Sequence, residues 1–478
     1  MPYEGPDFGP FDTAESKANK AYELYEDGMI PQALEQLQTA LELNPTNSAW
    51  LFDKALALDA VQRYEEAIEA YEAALELCPG DVEILNCLAV DYTRTCQYDK
   101  AIELFEQIQQ IDPKYEPCYC NRIITYTEMG LHDLAEQMFY LAQQINPSCA
   151  LCFYNIGNSL FVRGQLKQAI GCWMRTAELE PGHPQINYRI AQAYWGLGDR
   201  QKAMEYFLRE LRANPGDVEV ILDFGIFLLE CGDVDAAREK FHRLLELAPT
   251  NPQALFYLGE IALNTGHPDK AKEYYNQALR ADSTIPGPYY RLAQFAIQDQ
   301  QVQKARAYLI SELRNAPDNP EVLVSIGSMF LALAYQPHKD QPWPVGLRRP
   351  PVRMGFGNTD LDHATCCLKR ALSLERSNPD AHYYMALIHL RLGQAQLAHA
   401  ELLQATAIRP DHKEALQELA RLYHTQGKYE DLARCLEQAR SAQVEDPVLR
   451  RLGRGLWLKI RLARLKATAR GIWQRLGH

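Results

Sequence analysis

The chain has 478 residues, 47% of them hydrophobic, 12 cysteines and a formal net charge of −13 at pH 7. Residues 447–478 hold nine Lys or Arg and no acid, so the rest of the chain carries 40 basic against 62 acidic residues, a net −22 that disfavours nucleic-acid binding by the body of the molecule. No apolar run is long enough to span a bilayer, and residues 1–11 lack the basic-then-apolar order of a secretory signal.

After an N-terminal extension (1–13), alanine recurs every 34 residues, at Ala33, Ala67, Ala101, Ala135, Ala169, Ala203, Ala237, Ala271 and Ala305. Proline follows twelve residues later at Pro45, Pro79, Pro113, Pro147, Pro181, Pro215, Pro249 and Pro317, with Ser283 breaking the series. Residues 48–81 give the pattern of one period: an amphipathic run Ala49–Val61, a break at Gln62-Arg63, a second run Tyr64–Leu77, then Pro79-Gly80. Such a pair of helices cannot bury its apolar face alone and needs a neighbour on each side. The recurring alanine marks a close helix approach, and the large residues four positions on, such as Tyr71, Phe105, Trp173 and Tyr275, fill the space beside it. Glycines at Gly28, Gly130, Gly164, Gly198, Gly232, Gly266, Gly393 and Gly427 fall in the turn between the two helices, where a left-handed stop is needed.

This pattern resembles the tetratricopeptide repeat family. Leu88, Ala89, Tyr92, Tyr98, Ala101, Phe105 and Pro113 match its motif within one repeat, and Leu419, Ala420, Tyr423, Gly427 and Tyr429 match the first half of another. The resemblance covers about residues 14–446, or about 12 repeats. It implies an all-α, right-handed α-solenoid superhelix of helix–turn–helix repeats that acts as a protein–protein interaction scaffold, and the missing secretory signal leads to the expectation of a cytoplasmic location.

Two segments depart from the period. Repeats 1 to 9 and the first helix of repeat 10 occupy 14–335, that helix running from Glu321 to about Ala334. A Pro-rich insertion (336–360) follows, carrying Trp343, Arg348, Arg349, Arg353, Met354 and Phe356, and is read either as a solvent loop or as a docking loop. The second helix of repeat 10 resumes near Leu361, and repeats continue to 446. Residues 447–478 read as a basic amphipathic C-terminal helix with Leu458, Leu462, Leu465, Ala469, Ile472 and Leu476 on one stripe. This helix either caps the last repeat or meets an anionic membrane surface or a partner through Trp457, Lys459, Arg461, Arg464 and Trp473. Recruitment of the chain as a membrane-peripheral adaptor subunit of a transferase, secretion or envelope-assembly complex is the alternative function.

The family resemblance implies that the first helix of each repeat lines a concave groove. The expected contacts for an extended peptide there are Asn121, Tyr154, Asn155, Asn158, Tyr188, Arg189, Tyr290 and Arg291, because rings pack side chains and amides bond both peptide N–H and C=O groups. Asn121 and Asn155 are similar in placement to the asparagine ladder of the O-linked N-acetylglucosamine transferase superhelix. The carboxylate clamp of chaperone-binding members is matched at only two of its five positions, Asn155 and Arg189, which argues against capture of a chaperone's C-terminus.

No phosphate-binding loop, nucleophile elbow or H-E-x-x-H motif occurs, so neither a catalytic residue nor a cofactor is expected. Cys118, Cys120, Cys149 and Cys152 fall near the start of successive first helices, where they read mainly as packing residues, with a zinc site as the lesser alternative. His363, Cys366 and Cys367 make a weaker cluster, and His382 and His389 are expected as core residues. The cysteines as a whole are expected to be reduced.

Overall fold

The computed structural model describes residues 9–334, 360–456 and 460–461. Every regular element among the described residues is an α-helix, as the all-α expectation requires. The chain divides into two compact units, 1–231 and 232–478.

Unit 1 contains α1 (Gly9–Glu26), α2 (Ile30–Leu43), α3 (Ser48–Ala60), α4 (Tyr64–Leu77), α5 (Val82–Arg94), α6 (Tyr98–Ile111), α7 (Glu116–Glu128), α8 (His132–Ile145), α9 (Ala150–Val162), α10 (Leu166–Leu179), α11 (Ile186–Gly196), α12 (Arg200–Ala213) and α13 (Val218–Glu230). Consecutive helices pair as hairpins from α1·α2 to α11·α12, and each hairpin packs on the next through α2·α3, α4·α5 and so on. First helices also touch each other directly, as α7 and α9 do.

Three residue types enforce this arrangement. All nine alanines of the 34-residue series are 0% exposed, so a larger side chain there would have to displace the facing helix. Glycine on the first helix serves the same purpose where the partner ring is large: a Cβ on Gly157 would lie 2.5 Å from the fully buried Trp173 indole. Helices α3, α5 and α13 begin at a side-chain cap, with Asn47 accepting from Trp50 N and Asp81 and Asp217 accepting from the second and third amides that follow. The turn between paired helices is left-handed, with φ of +74° at Gly28, +73° at Gly130 and +74° at Gly164. Where glycine is missing at this station, Gln62 (φ 61°) and Cys96 (φ 60°) hold the same conformation.

Unit 2 contains α14 (Val234–Leu247), α15 (Pro252–Asn264), α16 (Pro268–Ala281), α17 (Pro288–Gln298), α18 (Val302–Asn315), α19 (Pro320–Ala334), α20 (Asp360–Leu374), α21 (Pro379–Arg391), α22 (Ala395–Ile408), α23 (Lys413–Thr425), α24 (Tyr429–Ser441) and α25 (Pro447–Gly453). Its hairpins repeat the same logic, with Tyr275 lying 2.5 Å from where a Cβ on Gly259 would stand. The insertion does not separate the two helices of its repeat. Helices α19 and α20 pack as one hairpin, Ala364 is 0% exposed, and a Cβ on Gly327 would approach Leu368 Cγ to 3.0 Å. Asp360, expected as the last insertion residue, is instead the first residue of α20, where it pairs with Arg306 of α18. Residues 335–359 lie outside the described residues.

The expectation of one helix from 447 to 478 is corrected. Helix α25 covers only seven residues, and Gly455 (φ 68°) follows an extended Arg454. Two glycines within three residues weaken helix continuation. Asp446 caps α25 by accepting from Val448 N at 2.7 Å and Leu449 N at 3.1 Å, and Leu449, 4% exposed, joins the cluster formed by Leu416, Leu419 and Leu432. This short helix packs on α23 and α24. Arg461 is exposed and helical, whereas Trp457, Lys459, Arg464 and Trp473 lie outside the described residues. Among the described residues no helix is long and apolar enough to cross a membrane.

Candidate binding surface

In unit 1 the candidate contacts sit on α7, α9 and α11, which the 34-residue period places at equivalent positions of successive hairpins. Tyr154 is half-buried, and its ring lies 4.5 Å from that of His183. Asn158 is half-exposed. Asn121 is also half-exposed and donates to Asn86 Oδ1 at 3.0 Å, so a ladder of amides runs from α5 to α7. Arg189 donates to Gln192 at 3.3 Å, while its Nε is buried with no hydrogen-bond partner. Apolar surface lies open on the same helices, with Ile124 36%, Leu151 44% and Val162 67% exposed.

Two of the expected contacts are corrected. Asn155 is 3% exposed and donates to the Cys120 carbonyl at 3.0 Å, so its amide ties α9 to α7. Tyr188 is 1% exposed and donates to Asp223 at 2.8 Å and Glu219 at 3.2 Å. Burial and these two carboxylates push its phenol pKa up, so the hydroxyl remains a donor. Both residues hold neighbouring repeats together. Gln192, whose amide donates to Asp223 at 3.0 Å, was missed. It occupies the same repeat station as Asn158, 34 residues earlier, which is the signal that could have found it.

In unit 2, Tyr290 is half-buried on α17. Arg291 is committed within the protein: its Nε donates to Glu260 Oε1 at 2.8 Å, and Glu260 also accepts from Tyr275 at 2.6 Å. A guanidinium already paired bidentately has little left for a ligand, so Arg291 is corrected from contact to structural pair.

Models of the tetratricopeptide repeat match residues 19–82, 154–218 and 383–431, and further models of the same repeat match 58–119 and 415–448. The middle TPR-like domain of cilia and flagella-associated protein 70 matches 188–342. The chain is a tetratricopeptide repeat (TPR) protein. No curated protein sequence matches it. Solved structures similar to it include a TPR protein from Parabacteroides merdae, 17% identical, covering 56% of this chain and 99% of that one with a TM-score of 0.43. Yeast Tom70 is 13% identical over 97% of this chain and 100% of its own, and the Cut9–Hcn1 structure of the APC/C is 14% identical over 92% and 96%, each with a TM-score of 0.43.

The remaining sequence candidates of this TPR protein are mostly structural. Cys118 is buried, donates to the Phe105 carbonyl at 3.3 Å, and burial pushes its thiol up to about 12. His363 is buried against Phe330, with ring centroids 5.0 Å apart. His382 and His389 are half-buried, not core: His382 Nδ1 meets Glu401 at 2.6 Å, and His389 Nδ1 meets Gln394 at 2.7 Å. The expectation of wholly reduced cysteines is corrected by a disulfide between Cys120 and Cys152, the other ten being free. Helices α7 and α9 touch closely enough here for the two sulfurs to bond.

Proposed function

We propose that this TPR protein is a non-catalytic scaffold that holds an extended peptide or protein segment on the first-helix face of α7, α9 and α11. Protein–protein interaction is the function its repeats support. The supporting observation is the mixture on that face: half-exposed amides at Asn121, Asn158 and Gln192 beside the half-buried Tyr154 and the open side chains of Ile124 and Leu151. Amides that both donate and accept can follow an extended backbone, and the apolar gaps take its side chains. The acidic excess of the body favours a partner segment carrying Lys or Arg.

Peptide display against the immobilised full-length chain tests this reading. Selected peptides should bind the wild-type chain and lose at least about ten-fold affinity against Tyr154→Ala with Asn158→Ala, a change of about 1.4 kcal/mol. Unchanged affinity in a variant that melts like the wild type would contradict it.

The charge asymmetry of residues 447–478 favours a second role. We read this tail as a peripheral attachment to an anionic membrane, which would make the TPR body an adaptor held at that surface. Co-sedimentation with phosphatidylserine vesicles should then disappear when 454–478 are removed, leaving α25 in place. Equal sedimentation of both forms would end this second reading.

A further inference from the structure

Four side chains converge between α7 and α9. Glu116 and Cys120 stand four residues apart on one face of α7, and Cys149 and Cys152 form a C-x-x-C pair at the start of α9. Cys149 caps α9 through its sulfur, which accepts from Cys152 N at 3.2 Å. The carboxylate oxygen and the three sulfurs all lie within 4.8 Å of one another, and the three cysteines are buried. Cys149 Sγ is 3.5 Å from Cys120 Sγ, and Glu116 Oε1 is 2.9 Å from Cys120 Sγ and 3.4 Å from Cys152 Sγ. Cys118, two residues from Cys120 on the helix, faces elsewhere.

The Cys120–Cys152 disulfide accounts for only two of these four groups. A disulfide sulfur has no proton to donate, so in that state the Glu116 carboxylate abuts two sulfurs that cannot hydrogen-bond to it. A shared cation answers for all four groups at once. Tetrahedral zinc with Zn–S near 2.3 Å and Zn–O near 2.1 Å separates its ligand atoms by roughly 3.5–3.8 Å. The Cys120–Cys149 and Glu116–Cys152 separations lie close to that range, whereas Glu116 must draw back from Cys120 by about 0.7 Å and the bonded sulfurs must part. Three thiolates select zinc over magnesium or calcium, and C-x-x-C is an ordinary zinc spacing.

We propose that Glu116, Cys120, Cys149 and Cys152 form a structural zinc site in the thiol state of this protein, clamping α7 to α9. Reaching that state takes two electrons and two protons onto Cys120 and Cys152, which a phosphine reductant supplies as it takes oxygen from water and becomes the phosphine oxide. Zinc then displaces the thiol protons. The site goes beyond the peptide reading. It would fix the spacing of the helices that carry Asn121 and Asn158.

The test is a cobalt titration of the full-length chain, kept reduced by a phosphine and free of chelators, followed by zinc competition and metal analysis. One cobalt per chain should bind, with thiolate charge-transfer absorption and the visible bands of a tetrahedral centre, and zinc should abolish both. Zinc should also raise the melting temperature of the reduced chain. Cys149→Ser and Glu116→Gln should each lower affinity at least about ten-fold at unchanged helical circular dichroism, whereas Cys118→Ser should not. A fully reduced, helical wild-type chain that takes up less than about one-tenth equivalent of metal would overturn the proposal. So would a Cys120–Cys152 disulfide that resists reduction in the folded chain, or equal loss of binding in Cys118→Ser.

Discussion

At the turn between paired helices, Gln62 and Gln300 adopt the left-handed backbone that glycine occupies in most other repeats, with φ of 61° and 57°. For an L residue this region costs about 1–2 kcal/mol, whereas glycine enters it freely and gives back part of the gain as unfolded-state entropy. Both side chains are exposed, so no packing is lost by removing them. Gln62→Gly and Gln300→Gly should each stabilise the fold by about 0.5–1 kcal/mol in denaturant unfolding, and glycine variants no more stable than the wild type would show that the turn carries no strain. Asp91 gives a second residue-scale prediction. It is 1% exposed, and burial, reinforced by Asp59 and opposed by Arg94, pushes its carboxyl up to about 7 from 3.8. The folded state therefore binds more protons than the unfolded state between those values, and stability falls as pH rises through that window. Asp91→Asn should remove this slope, so that the wild type loses up to a few kcal/mol relative to the variant between about pH 4 and 8. Parallel pH profiles for the two proteins would contradict the shift. The turn glycines and the alanine stations were legible in the sequence because backbone geometry and close packing admit few residue types. The partners of Asn155, Tyr188 and Arg291 were not, because an amide, a phenol or a guanidinium looks the same in a sequence whether it faces solvent or a neighbouring helix.

At the scale of helices, the hairpin α19·α20 shows how the repeat survives interruption. The small-residue contacts Gly327–Leu368 and Ala364 hold the two helices together as in any other repeat. The buried pair of Arg306 (4% exposed) and Asp360 (3%) adds a link from α18 to the start of α20, with Nε to Oδ1 at 2.8 Å. Removing one partner of a buried pair strands the other charge, at a cost of about 3–5 kcal/mol. Asp360→Ala should thus destabilise the chain by that amount, while Arg306→Met with Asp360→Leu should cost much less. Equal losses in the two variants would assign the effect to packing. The 34-residue period located these helices to within a residue, but not this pair, whose members stand 54 residues apart across an insertion. Periodicity also carries no sign of the break after α25, which ends at Gly453 before the left-handed Gly455, while the leucine stripe from Leu458 lies outside the described residues. Glu116 stands one turn before Cys120 and beside the cysteines, but in the sequence a single carboxylate at that spacing looks like any other acid on a solvated helix face.

For the molecule as a whole, nearly all buried side chains serve the stacking of hairpins, and what remains open on α7, α9 and α11 is a mixed surface that includes amides, aromatic rings and aliphatic side chains. A solenoid builds its core from neighbour-to-neighbour contacts, which leaves its inner face free to vary. That is why the family could be read from the sequence and the partner could not: the period is written in the buried positions, and the ligand is read by the others. Amide hydrogen exchange of the full-length chain, with and without a display-selected peptide, addresses the proposed surface most directly. The account predicts slowed exchange in α7, α9 and α11, with α8, α10 and α12 changed far less. Protection confined to those second helices, or to unit 2, would contradict it.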